Sequence, residues 1–265
     1  MVVPLAGIAL AGAAWFATNS SMFHARHIEV TGTSHVKRGE VLRLTGLRHS
    51  TNVLWLDLGR VAESVETDPW IASADVARSL PGTVRIEVHE RIPAATMQVG
   101  STWLLVSTDG TVLDRLESRP RLPELPGLDR VTLGARIQRL AGAAAIAGGM
   151  SPWLRQRVRT VSPVEGGAVQ LELPDGATVL FGQPSEIDAK DQALAGILQW
   201  ASDRGVRLAR VDVRSPLAPV VRAVGHVAGI RMEPKRRPPS TETTHAGNDG
   251  KARSGGTRHG RKKPN

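Results

Sequence analysis

Apolar and polar positions keep different rhythms along this chain. Val2 to Ala17 carries no charge at all. From Phe23 the apolar segments become short and periodic. Ile28-Glu29-Val30 alternates and stops at Gly32, as a half-buried strand does. Lys37 to Thr45 sets Val41, Leu42 and Leu44 among polar residues, the spacing of a short half-buried helix. Leu58 to Glu66 repeats that spacing with Leu58, Val61, Ala62 and Val65. Pro69, which lacks an N–H donor, is expected to end this second helix. Trp70 to Ala77 and the strictly alternating Thr83-Val84-Arg85-Ile86-Glu87-Val88 then read as two strands split by Pro81-Gly82. The predicted order is β-α-α-β-β, with both helices against one face of a three-stranded sheet.

After Pro93 the pattern changes. Thr102 to Ser107 is an apolar run, Thr108-Asp109-Gly110 is a turn, and Thr111 to Arg115 runs back. Asp-Gly between two such runs predicts a hairpin, because glycine accepts the positive φ of a tight turn. Pro120 to Pro126 holds three prolines and reads as a crossing loop. Ile137 to Ala147 predicts a helix ending at Gly148-Gly149, and Pro152 to Arg157 a further turn. Val169, Leu171 and Leu173 alternate up to Pro174-Asp175-Gly176, and Thr178 to Phe181 returns as a second hairpin. A helix follows with Ile187, Leu194, Ile197, Leu198 and Ala201 on one face. Ser185 is its expected cap, Asp188 holds the reciprocal capping-box position, and Gly205 is its expected terminator. Ala209 to Arg214 reads as the last strand, followed by Ser215-Pro216 and then Pro219 to Arg222.

Charge divides the chain unevenly. The net charge is +9, but ten Lys/Arg against three Asp/Glu between Arg231 and Asn265 place +7 of it on the C-terminal segment. The rest is near neutral, which takes most of the support from nucleic-acid binding by the folded part. The last stretch, rich in Pro, Ser, Thr, Gly and basic residues, buries too little apolar surface to offset its ordering entropy and is expected to be disordered. Such a tail attracts polyanions without sequence preference; anionic wall polymers or lipid headgroups are candidates, and plain solubilisation is the other reading. Val2 to Ala17 spans roughly 24 Å as a helix, short of the roughly 30 Å hydrocarbon core of a bilayer. Three readings fit it: a single-pass anchor missing its cytoplasmic leader, a cleavable signal peptide, or a buried helix. The anchor is the preferred expectation.

Catalytic patterns are scarce. Without cysteine there is no disulfide, thiolate metal site or cysteine nucleophile. No phosphate loop, Gly-x-Ser-x-Gly or His-Glu-x-x-His occurs. His24 and His27 could supply half a metal site, but they find no partners at defined spacing and read as solvated linker. His89-Glu90-Arg91 reads as a strand-end charge pair, and Asp109 with Asp114 as turn-forming residues. The expectation is a non-enzyme with no cofactor and no metal.

Several motifs, in this order, resemble one family. Phe23 to Ala94 resembles a POTRA domain, through Ile28-Glu29-Val30-Thr31-Gly32, Asn52 and Asp57, Pro69-Trp70-Ile71, Leu80-Pro81-Gly82-Thr83 and Val88-His89-Glu90-Arg91-Ile92-Pro93-Ala94. Ser107-Thr108-Asp109-Gly110-Thr111-Val112-Leu113 resembles the opening hairpin of the second domain of the bacterial cell-division family FtsQ/DivIB, and Val211-Asp212-Val213-Arg214 its penultimate strand. The resemblance implies an α+β architecture: a membrane helix over residues 1–18, a POTRA domain over 23–93, a second α+β domain on an antiparallel sheet over 94–222, and a disordered basic tail over 223–265. It also implies a scaffold in the cytoplasmic membrane, largely extracytoplasmic, at the division septum. Its implied partners are FtsB (DivIC) and FtsL, and its implied role is helping to control septal peptidoglycan synthesis. The implied binding edge comprises Arg214, Ala218, Pro219, Val220, Val221 and Arg222. Pro219 removes one ladder donor from that edge, and Ser215 stands where the family often has an aromatic. The rival reading of Val220 and Val221 is core completion. The rival function is a POTRA-type interaction or chaperone module for exported proteins.

Overall fold

The computed structural model describes residues 7, 12, 13 and 15–225. Most of the expected anchor and all but the first three residues of the expected tail lie outside them. Among the described residues, no helix is long and apolar enough to cross a membrane.

The first sheet follows the sequence pattern closely. Its elements are β1 (His27–Thr31), α1 (Arg38–Thr45), α2 (Leu58–Val65), β2 (Ile71–Ser79) and β3 (Thr83–Glu90). The strand order is β1-β3-β2, with β1 parallel and β2 antiparallel to β3. Val84, Ile86 and Val88 point alternately from β3 into a core shared with Val41, Val65 and Ile71. Gly32 follows β1 at φ 80°, where an added side chain would collide with the Val88 carbonyl. Asp57 caps α2 by accepting from the Arg60 N–H at 3.1 Å. The helix ends at Val65, three residues before Asp68 and not against Pro69; the Glu66 N–H closes on the Ala62 carbonyl at 2.9 Å. His24 and His27 are not linker either: His24 bridges to Asn52, and His27 opens β1.

Among the described residues the second sheet has nine strands, in the order Val220–Ala223 (β12), Leu208–Asp212 (β11), Thr178–Gly182 (β10), Val169–Glu172 (β9), Thr160–Pro163 (β8), Glu124–Leu125 (β7), Pro93–Val99 (β4), Thr102–Ser107 (β5) and Val112–Leu116 (β6). The expected hairpins are β5 (Thr102–Ser107) with β6 (Val112–Leu116), and β9 (Val169–Glu172) with β10 (Thr178–Gly182). The new strands are β4 (Pro93–Val99), β7 (Glu124–Leu125) and β8 (Thr160–Pro163), and they form the middle of the sheet. The sheet is mixed and not antiparallel as expected: β4–β7, β7–β8 and β10–β11 are parallel. The reason is connectivity. Helices α3 (Gln138–Gly149) and α4 (Pro152–Arg155) carry the chain from β7 to β8, and α5 (Ile187–Asp203) carries it from β10 to β11 (Leu208–Asp212). Parallel neighbours need such crossovers. The alanines Ala143, Ala144 and Ala147 bring α3 close to the sheet and are fully buried.

Helix α5 starts differently from its expected capping box. Glu186 takes the N-cap in the left-handed region at φ 52°, and no side chain caps the first turn. Its polar residues go to tertiary contacts instead. Lys190, 2% exposed, donates to the Gln183 carbonyl at 3.0 Å, and Asp191 accepts from the Ser151 N–H at 2.9 Å. Gly205 closes the helix at φ 62°, as its sequence position predicts. Ala223, expected in the tail, is the last residue of β12 (Val220–Ala223).

The two sheets meet through Arg91. Its Nη1 donates to the carbonyls of Pro69 (2.9 Å) and Ile71, and its Nε donates to Asp109 Oδ2 at 3.2 Å. His89-Glu90-Arg91 is therefore not a charge pair. His89 faces Asp75 at 3.2 Å, while Glu90 accepts the backbone N–H groups of Ser34, His35 and Val36 at 2.8–3.0 Å. Burial alone would raise the Glu90 carboxyl; these backbone donors outweigh it and hold it below the usual range.

Candidate functional site

The candidate residues gather at one end of the nine-stranded sheet. Among the described residues strand β12 is its edge and pairs only with β11, in the order Asp212↔Val220, Val211↔Val221 and Arg210↔Arg222. The Val224 N–H donates to the Arg207 carbonyl at 2.9 Å. Alternate residues present their N–H groups to the same side of a strand. Val220 and Arg222 therefore share the inward phase of Val224, and Val221 and Ala223 turn their donors outward.

The six expected residues divide by role. Val221 packs on the core, whereas Val220 is 65% exposed. Core completion thus describes Val221 and not Val220. Arg222 is exposed on the same face as Val220. Ala218 lies in the bend before the strand, its N–H donating to the Ser215 carbonyl at 3.2 Å. Pro219 sits just ahead of β12, so its missing donor falls outside the β11–β12 ladder. Leu217, just before them, is 93% exposed.

Arg214 stands on the outer face. Its Nη2 donates to Asp212 Oδ2 at 2.6 Å and its Nε to Oδ1 at 3.0 Å. This fork, against the opposing effect of burial, holds the Asp212 carboxyl below its usual range. Room for the arginine stem comes from Gly182, at φ 82°, where a Cβ would approach Arg214 Cγ to 3.0 Å. The strand pairing of β10 shifts register there. Arg210, Asp212 and Leu180, which sequence reasoning missed, complete a groove of about 320 Å³ with Arg214, Val220 and Arg222. Arg210 and Asp212 alternate with Arg214 along the chain, a period-two signal that places all three on one face.

Comparison with known proteins agrees with this architecture. The POTRA domain, FtsQ-type, matches residues 23–91, and the C-terminal domain of cell division protein FtsQ/DivIB matches residues 95–214. The chain belongs to the FtsQ/DivIB family. Of the candidate edge, Arg214 alone falls inside the matched segments. The FtsQ of Syntrophotalea carbinolica is 39% identical over 135 residues, which is 50% of this chain and 46% of that protein. The FtsQ of Mycobacterium tuberculosis is 28% identical over 222 residues, 84% of this chain and 67% of that protein. The chain thus spans about half of the first relative and two thirds of the second. The solved extracytoplasmic domain of DivIB from Geobacillus stearothermophilus overlays with a TM-score of 0.27 at 16% identity, covering 34% of this chain and 76% of that one. So loose an overlay carries no argument.

Proposed function

We propose that this FtsQ/DivIB chain is a non-catalytic scaffold of the division machinery, a single-pass protein of the cytoplasmic membrane with its two sheets outside, at the septum. It binds FtsB (DivIC) and FtsL by accepting a strand on β12, and through them it helps to control septal peptidoglycan synthesis. The observation that carries this reading is the outer edge of β12, which no strand among the described residues pairs. A sheet edge with free N–H and C=O groups is satisfied by a partner strand, while side-chain pockets beside it give selectivity. Val221 and Ala223 supply the outward donors, and the exposed Val220 offers an apolar contact beside them.

The test is capture of the full chain by the extracytoplasmic parts of FtsB and FtsL. Ala223→Pro removes an outward donor and leaves the β11 ladder intact. Val220→Lys removes the apolar contact. Both variants are expected to lose capture with unchanged circular dichroism. Capture equal to the parent chain in both would move the partner site away from β12.

A further inference from the structure

We infer that the end of the first domain where the N-terminal segment enters is a docking surface for anionic lipid, with Trp55 at its centre. Three separate stretches meet there. The β2–β3 turn is joined to the entering chain by hydrogen bonds from the Arg26 and His27 N–H groups to the Gly82 carbonyl, at 2.8 and 3.2 Å. The loop before α2 is joined to it by the Ala25 N–H on Thr51 (2.9 Å) and the Val53 N–H on Phe23 (2.8 Å). Asn52 Nδ2 also donates to the Thr18 carbonyl at 2.8 Å, one residue past the uncharged Val2–Ala17 segment.

This end is apolar where a soluble tip would be polar. Trp15 is 70% exposed, Phe16 81%, Met22 56%, Trp55 63% and Leu80 53%, and together they are five of the eleven large apolar side chains left exposed among the described residues. Clustered exposure of this kind marks an interaction surface. Trp55 is held out by design of the backbone: Arg78 Nη1 donates to the carbonyls of Val53, Leu54 and Leu56 at 3.1, 2.6 and 3.3 Å, fixing the loop on both sides of it.

Charge selects the partner. The three stretches, residues 15–26, 48–56 and 78–82, contain Arg26, Arg48 and Arg78 and no Asp or Glu. Arg78 is committed to the loop, and Asp57, next along the chain, is paired with Arg60 at 3.3 Å. Exposed aromatics beside Arg26 and Arg48 suit the headgroup layer of an anionic bilayer, where tryptophan settles and basic side chains find lipid phosphates. The surface rests on the membrane anchor proposed above, and it adds that the first domain lies against the bilayer instead of standing off it.

The absence of cysteine allows a single reporter. His49→Cys, exposed in the same loop as Trp55, carries an environment-sensitive fluorophore in the full chain, and Ser185→Cys, exposed in the second domain, is the control. The protein is reconstituted with vesicles of phosphatidylglycerol and phosphatidylcholine bearing a nitroxide quencher. Quenching at position 49 several times that at position 185 is expected. It should fall in phosphatidylcholine alone and drop to the control level when Trp55→Glu is added. A chain that floats with vesicles but is quenched equally at both positions overturns the surface and leaves the anchor standing. A chain that does not float overturns both.

Discussion

Two Arg–Asp pairs in this chain share a chemistry and differ in their surroundings. At the junction of the sheets, Arg91 is 19% exposed by its side chain and Asp109 33%. Both members of that pair have further partners: Arg91 Nη1 also holds two carbonyls, and Asp109 also accepts from Ser107 and from the Thr111 N–H (3.2 Å) and hydroxyl (3.1 Å). At the sheet edge, Arg214 is 62% exposed, and Asp212 is the one carboxylate among three arginines in the groove. The first pair is largely enclosed and uses most of its hydrogen bonds in holding two domains. The second leaves capacity over, with Arg210 and Arg222 facing each other across the ladder. Burial and the count of partners, not the residue types, separate a structural ion pair from one available to another chain.

The sharpest way to break this contrast is truncation. Arg91→Ala strands Asp109 and two carbonyls and should cost roughly 3 kcal/mol in urea unfolding. Arg214→Ala should leave the urea midpoint where it is, because an exposed pair contributes little. Equal effects from the two would dissolve the distinction.

Backbone geometry gives the next effect. Gly182→Ala puts a Cβ on left-handed backbone against Arg214 and should cost about 1–2 kcal/mol by thermal unfolding. A neutral result would mean that the bulge relaxes freely and does not position the arginine.

Acid sharpens the comparison further. Burial pulls the Asp109 carboxyl upward, but its donors from Ser107, Thr111 and Arg91 prevail and bring it to about 2. The unfolded value is about 3.9, so this group binds more protons unfolded than folded across the interval between. Its stabilisation is complete above pH ~4 and is lost as pH falls towards ~2, amounting to about 1 kcal/mol once solvent screening is allowed for. Urea midpoints at the two ends of that range should differ less in Asp109→Asn than in the parent. Parallel slopes would refute the assignment.

The smallest change is Arg222→Glu, which replaces a like-charged cross-strand neighbour of Arg210 by an opposite one. It should raise stability by about 0.3 kcal/mol, read as a small rise in melting temperature.

How much of this was legible depended on which faces were covered. Strand β3 and the β9–β10 hairpin have one dry and one wet face, so alternation announced them. Ala94, Ala95, Thr96 and Met97 of β4 are all buried, and a strand covered on both faces loses the period-two signal. Strand β7 is two residues long and flanked by prolines, so no window could detect it. The two-sided pairing of those central strands is also why the parallel ladders were invisible from local patterns. At the site, resemblance pointed to β12, but the facing arginines follow from the register between β11 and β12, and register is a property of the sheet. Glu186 shows the reverse: a good capping sequence was overridden when Lys190 and Asp191 were drawn into tertiary contacts.

The narrow centre of the large sheet has a mechanical consequence. Any force applied across the sheet at β12 would load the ladders in series, and β7 and β8 share a single aligned residue pair, Glu124↔Thr160. Tension crossing the sheet would open there first if the strands alone bore it. Helix α3 lies across β4, β7 and β8, so it acts as a splint over the thinnest seam. Its small buried alanines set how tightly that splint is bound.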